Sequence, residues 1–105
     1  MKLPLKAGVD VRFLRPELVK VLWNVQAIME YNGGPDYEFL LTAGADGTHK
    51  IGSKHYVHLA VDLRTRPMTA SQRRTAVAEL KHLLDAEYDI VDEVDHIHLE
   101  YDPHP

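Results

Sequence analysis

Two short segments of this sequence, 57–64 and 96–101, alternate between apolar and polar residues with a period of two. Because successive side chains of a β-strand point to opposite faces, each segment predicts a strand with one apolar and one polar face. The apolar faces must be buried, so we expect helices to cover one side of the sheet and to leave the polar side open. The apolar positions are Val57, Leu59, Val61, Leu63, Ile97, Leu99 and Tyr101, and the polar positions include His58, Asp62, Arg64, His96, His98 and Glu100.

Two further segments have the periodicity of amphipathic helices. The first is predicted over 16–29, beginning at Pro16, where the missing N–H of proline costs nothing. The second is predicted over 70–86, because Thr69 and Gln72 have the spacing of a capping box. The apolar stripe of the first helix consists of Leu18, Leu22, Val25 and Met29, and that of the second consists of Val77, Leu80 and Leu84, with Ala76 and Leu83 beside it.

Shorter patterns complete the expected fold. Residues 37–42 predict a strand, residues 88–91 predict a short one, and the stretch 43–52, rich in Gly, Asp and Thr, predicts a loop. Helices and strands do not alternate in a βαβ rhythm, which favours an antiparallel sheet. A chain of 105 residues predicts one domain, 1–105. The expected fold class is therefore α+β, a small antiparallel sheet with two helices packed on one face.

Charge and composition limit which partners and which cellular location we expect for this chain. The formal net charge is −4 with neutral histidines, which argues against nucleic acid as a partner, because phosphate binding needs clustered Lys and Arg. The first residues are too few and too polar for a signal peptide, and no apolar stretch is long enough to cross a bilayer. We therefore expect cytoplasmic synthesis, no membrane insertion and a monomer.

The polar face and the loop before it concentrate residues that bind metals. Since the chain has no cysteine, a metal would be held by His, Asp or Glu, which favours zinc or another first-row ion. Two imidazoles, one carboxylate and an open position form a catalytic zinc site, and Asp62 is a candidate carboxylate. By geometry His58 is its simpler partner, because their even spacing puts both on one strand face, whereas His55 would reach in from the loop. His96 and His98 share a face, so both qualify as ligands.

The segment Ser53-Lys54-His55-Tyr56-Val57-His58-Leu59-Ala60-Val61-Asp62 resembles the Ser-x-His-x-x-Gly-x-Ala-x-Asp signature of one family of zinc peptidases. Ser53, His55, Ala60 and Asp62 match this signature, and His58 stands where the family usually has Gly. The later Asp95-His96-Ile97-His98 resembles the carboxylate-x-x-His element of the same family. That family includes D-alanyl-D-alanine carboxypeptidases and dipeptidases, and the L-alanyl-D-glutamate endopeptidases of phage endolysins. The resemblance implies a hedgehog/D-Ala-D-Ala-peptidase-like fold.

The resemblance also implies a role for each matching residue. His55, Asp62 and His98 are the implied Zn²⁺ ligands, and Asp95, three residues before His98, is the implied general base. Glu93 is the alternative base, should His96 be the true ligand. The implied neighbours of the metal or substrate are Ser53, His58 and His96. Family members often carry an upstream arginine that holds a substrate carboxylate; the region 41–47 has none here, and Lys50, Lys54 or Arg64 are the candidates for that role.

The function implied by the resemblance is metal-assisted amide hydrolysis. The expected substrate is the peptide stem of peptidoglycan in the bacterial cell wall, and the expected enzyme is a carboxypeptidase or endopeptidase of the endolysin kind, of phage or prophage origin. The alternative is a non-catalytic, zinc-stabilised domain of a phage or cell-wall assembly. A third interpretation is an α+β binding domain without a metal.

Overall fold

The computed structural model describes residues 4–44 and 59–103. Within these ranges the chain forms two helices and four strands. Their order is α1 (Pro16–Gly33), β1 (Leu41–Ala43), β2 (Ala60–Arg64), α2 (Ala70–Leu83), β3 (Tyr88–Asp92) and β4 (His96–Tyr101). The strands form one antiparallel sheet in the order β1-β2-β4-β3, so β2 and β4 are its central pair. This is the α+β fold class that the sequence predicts.

The core lies between the two helices and the apolar face of the sheet. The stripe predicted for α1 is buried in full, and Ala76 and Leu80 of α2 join it in one cluster with Val61 and Leu63 of β2 and Ile97 and Leu99 of β4. Both helices therefore cover the same face, and the side chains that alternate with this apolar set lie on the other. Burial of one large aliphatic side chain contributes about 1.5–3 kcal/mol to folding, so this shared layer holds the strands in place.

Local signals explain where α1 ends and where α2 begins. Helix α1 continues to Gly33, beyond the predicted end at Met29, and Gly34 stops it with a φ of 81°, a conformation that glycine adopts at little cost. Helix α2 has the predicted capping box: the Thr69 hydroxyl accepts from Gln72 N at 3.1 Å, and Thr69 N donates to the Gln72 side chain at 2.8 Å.

Three details of the sequence prediction are corrected. Helix α2 ends at Leu83 rather than at 86, because Leu84 takes an extended backbone that turns its side chain into the core. Leu83, predicted beside the apolar stripe, is consequently exposed. The strand predicted over 37–42 is shorter and later, Leu41–Ala43, although Tyr37 and Phe39 are buried in the core.

Strand β4 spans His96–Tyr101, as predicted. Strand β2 begins at Ala60, and residues 57 and 58 of the predicted strand lie outside the described residues. In the described parts of the chain, neither helix combines the length and the apolar character that a membrane span requires.

Candidate metal centre

The register between β2 and β4 brings the two polar segments together. Asp62 lies directly opposite His98, and Arg64 lies directly opposite His96. Directly opposed residues of an antiparallel pair point to the same face of the sheet, with Cβ atoms about 4.5–5.5 Å apart. The carboxylate of one predicted motif and the imidazoles of the other therefore meet on one face.

Asp62 and His98 form the closest contact between the two motifs. Nδ1 of His98 lies 3.1 Å from Oδ1 of Asp62, and Nε2 of His98 lies 2.8 Å from Oε1 of Glu100. The side chains of Asp62 and His98 are only 12% and 15% exposed. The hydrogen bond to Asp62 raises the pKa of His98 to about 9, with a smaller contribution from Glu100, although burial acts in the opposite direction. Without a metal, this raised pKa favours the imidazolium form of His98 at neutral pH, in which both ring nitrogens can donate to the carboxylates.

The donor atoms of this pair fit a shared zinc ion. Ligand atoms at about 2.0–2.1 Å from a tetrahedral zinc lie about 3.3 Å apart, close to the separation of Nδ1 and Oδ1 here. Glu100 would accept the remaining N–H of His98, the arrangement that fixes the ring of a metal-binding histidine. A metal on Nδ1 would replace the proton that His98 donates to Asp62. Asp62 and His98 thus satisfy the chemistry of two of the three predicted ligands.

The third predicted ligand, His55, lies outside the described residues, as do Ser53 and His58. The choice between His55 and His58 therefore stays a prediction from the family pattern. Of the two strand histidines, His98 makes the closer contact with Asp62 and lies directly opposite it, whereas Nε2 of His96 is 3.6 Å from Oδ2 of Asp62.

His96 lies among three carboxylates. Its Nδ1 is 2.6 Å from Oδ1 of Asp95, and its Nε2 is 3.6 Å from both Oδ2 of Asp62 and Oε2 of Glu93. The sequence predicted His96 as a neighbour of the metal or the substrate. The hydrogen bond to Asp95 is a finding that the sequence pattern did not indicate.

Asp95, the predicted base, lies in the tight turn between β3 and β4, and its side chain is 62% exposed. Val94, beside it, has a φ of 74°, which is rare for a β-branched residue. Three hydrogen bonds hold this turn: Val94 N donates to Asp92 at 2.9 Å, the buried Thr65 hydroxyl donates to Val94 O at 3.1 Å, and Arg73 donates to Asp92 at 2.7 Å. The backbone that carries Asp95 is thus fixed from two sides.

A cleft of about 400 Å³ lies beside these residues. Four of the predicted site residues line it: Asp62, Arg64, Asp95 and His96. The remaining walls consist of Lys6, Leu40, Thr42 and Arg66, which the sequence did not assign to the site. Lys6 reaches the cleft because backbone hydrogen bonds between its segment and Leu41 hold the N-terminal residues against β1, a long-range contact without a local sequence signal.

A separate acidic group lies around Glu100. In the described ranges, Asp89, Glu100 and Asp102 are the one group of three whose potential ligand atoms all lie within 4.8 Å of one another. All three donors are carboxylates, which suit a hard cation such as Ca²⁺ better than zinc. Glu100 belongs to both arrangements, since it also accepts from His98.

No protein-family model matches the chain, and no curated protein matches it. The assignment of a function therefore depends on the motifs and on their geometry. The strongest geometric element is the facing pair of Asp62 and His98, with Asp95 on the turn that leads into β4.

Proposed function

We propose that this chain is a zinc-dependent peptidase that hydrolyses amide bonds in the stem peptides of peptidoglycan. The proposal rests on the resemblance to D-Ala-D-Ala carboxypeptidases and phage L-alanyl-D-glutamate endopeptidases, and on one observation. Asp62 and His98, the strand-borne ligands that the resemblance implies, face each other with donor atoms 3.1 Å apart. A histidine and an aspartate that are both nearly buried need partners there, and each supplies the other with one, as a structural pair or as two ligands of a metal.

His55, Asp62 and His98 would hold the zinc, and Glu100 would orient His98. When bound, zinc lowers the pKa of a water from about 15.7 towards 7 and polarises a carbonyl. Asp95 lines the cleft with a largely exposed carboxylate, so it can take a proton from the attacking water and give it to the leaving amine. These roles together describe a hydrolase of the metallopeptidase class.

The cleft suits a substrate that carries carboxylates. Lys6, Arg64 and Arg66 line it together, in a chain whose net charge is −4. Stem peptides of peptidoglycan carry free carboxylates, and an arginine binds a carboxylate through two parallel hydrogen bonds. Arg64 is therefore the proposed substrate-binding residue, and the proposed place of action is the bacterial cell wall, with a phage or prophage origin.

The test is a muropeptide and turbidity assay on purified cell wall and on defined stem peptides, with and without a chelator. We expect cleavage that a chelator abolishes and added zinc restores. Asp95→Asn should lower kcat by about 10²–10⁴-fold, the range for loss of a general base, while zinc remains bound. Asp36→Asn, at an exposed aspartate between α1 and β1, is the matched control. Stoichiometric zinc without cleavage of any wall peptide would reject the enzyme.

Glu93→Gln separates the two candidate bases. Glu93 and Asp95 lie on the same turn and both approach His96, but only Asp95 makes a short contact with it. A loss of activity in Glu93→Gln as large as that expected for Asp95→Asn would transfer the role of base to Glu93.

A second candidate is a zinc-stabilised domain without catalysis. The observation that favours it is the 2.6 Å contact between Asp95 and His96, which gives Asp95 a structural partner. This candidate predicts that zinc removal lowers the melting temperature strongly and that Asp95→Asn changes no reaction. A protein purified without an affinity tag that contains no stoichiometric zinc would reject both candidates in favour of a metal-free binding domain.

A further inference from the structure

We infer that His96 is a positioning residue that holds the carboxylate of Asp95 in the orientation a general base needs. This inference rests on the proposed function, because it assigns to His96 a role in the same reaction. It differs from the three roles the sequence left open for His96: a metal ligand, a donor to the metal ligands and a substrate contact.

The ring of His96 lies between two carboxylates, with a hydrogen-bond contact to one of them. Its Nδ1 lies 2.6 Å from Oδ1 of Asp95, and its Nε2 lies 3.6 Å from Oδ2 of Asp62. The other oxygen of Asp62 faces His98 at 3.1 Å. The imidazole of His96 thus lies between the proposed base and the proposed ligand Asp62, and the ladder between β2 and β4 fixes it opposite Arg64.

Asp95 needs such a partner because its own surroundings restrain it little. Its side chain is 62% exposed, and a surface carboxylate on a turn exchanges among rotamers. A general base must come within about 2.6–3.2 Å of the proton it takes, and a misplacement of about 1 Å can cost about 10²-fold in rate. A hydrogen bond from Nδ1 to Oδ1 fixes the carboxylate and leaves Oδ2 to take the proton.

The same contacts argue against a role of His96 in substrate binding. Both ring nitrogens of His96 already approach carboxylates, and Glu93 adds a third at 3.6 Å from Nε2. A peptide substrate would have to displace one of these anions to reach the ring. The zinc content of the His96 variants separates the positioning role from a ligand role.

The test uses three substitutions of His96 in the zinc-loaded protein. Asparagine can place an N–H near the position of Nδ1, whereas glutamine reaches towards the position of Nε2. We expect His96→Ala to lower kcat by about 10–100-fold, the range for residues that orient catalytic groups, with KM within about twofold and zinc content unchanged. His96→Asn should recover most of kcat, and His96→Gln should not. The matched control is His82→Ala, at an exposed histidine of α2.

A spectroscopic readout tests the contact independently of activity. In ¹H–¹⁵N spectra we expect a downfield Nδ1–H resonance of His96 that is protected from exchange and that moves upfield in Asp95→Asn. Unfolding curves of each variant establish that it is folded. If His96→Ala is unfolded, the comparison of His96→Asn with His96→Gln still tests the positioning role.

The outcomes separate this inference from the proposed function. A wild-type protein that binds zinc but cleaves nothing rejects the function, and the positioning role with it. Cleavage by the wild type, combined with equal losses in His96→Asn and His96→Ala, rejects only the positioning role. A rise in KM at constant kcat would make His96 a substrate contact, and a loss of zinc would make it a ligand; either result overturns the inference.

Discussion

Asp62 and His98 lie directly opposite each other on the two central strands, with Nδ1 of His98 3.1 Å from Oδ1 of Asp62. The two residues are held by backbone pairing rather than by a loop, so their separation changes little when a ligand binds. Such a pair is preorganised for a metal, because little conformational freedom is lost on binding. The facing of Asp62 and His98 therefore predicts how zinc, Glu100 and pH affect the protein.

We expect the protein to bind one zinc ion and Asp62→Asn or His98→Ala to lose it. Zinc at 100 times its Kd should stabilise the wild type by about 2.7 kcal/mol, because only the folded state presents the site. Elemental analysis and thermal unfolding with and without zinc measure both effects. His82→Ala should behave as the wild type. Full zinc stoichiometry in both ligand variants would place the metal elsewhere.

Glu100→Gln should weaken zinc binding by about 10–100-fold without abolishing it, because Glu100 accepts from His98 and does not itself face Asp62. Titration with a competing chelator measures this change. Asp89→Asn is the informative comparison, since Asp89 shares the acidic group with Glu100 and lies opposite Glu100, not opposite His98, in the ladder between β3 and β4. Equal weakening in both variants would indicate that the acidic group, rather than the Asp62–His98 pair, holds the metal.

The metal-free protein should lose stability as the pH rises from about 6.5 to about 9. The folded-state pKa of His98 is raised from 6.5 to about 9, so its contribution is complete below pH 6.5 and disappears as the pH passes through the folded value. With solvent screening of the partly exposed ring, we expect a loss of about 1–2 kcal/mol.

Urea unfolding in the presence of a chelator at several pH values measures this effect. The difference between the wild type and Asp62→Asn isolates the part of the His98 contribution that depends on Asp62, because Glu100 and the other titrating groups are common to both. Parallel pH profiles of the two proteins would contradict the prediction.

Val94→Gly should leave the stability unchanged or raise it by up to about 1.5 kcal/mol. Relief of the left-handed backbone gains about 1–2 kcal/mol, and the extra freedom of glycine in the unfolded chain costs about 0.5–1 kcal/mol. The side chain of Val94 is 67% exposed, so little packing is lost. Val94→Ala keeps the left-handed strain and should gain nothing. A loss above 1 kcal/mol in Val94→Gly, measured by urea unfolding, would contradict this account of the turn.

Much of the fold follows from local patterns. Strand β4 matches its predicted bounds, the apolar stripe of α1 is buried in full, and the capping box at Thr69 forms as predicted. These features depend on residues close together in the sequence, so local periodicity and capping chemistry predict them. The errors occur where tertiary packing decides, as at Leu84, which leaves the helix to fill the core.

The candidate site likewise combines features that the sequence predicts with contacts that only the structure shows. The sequence alone determined that Asp62, His96 and His98 lie on polar strand faces, because alternation with a period of two leaves no other choice. Only the tertiary structure decided that Asp62 faces His98 rather than His96 and that Arg64 faces His96. These contacts depend on the register between strands 36 residues apart, and a shift of the register would give each residue a different partner. That register is fixed by the packing of the whole apolar face on the helices, a sum over long-range contacts that no local pattern contains.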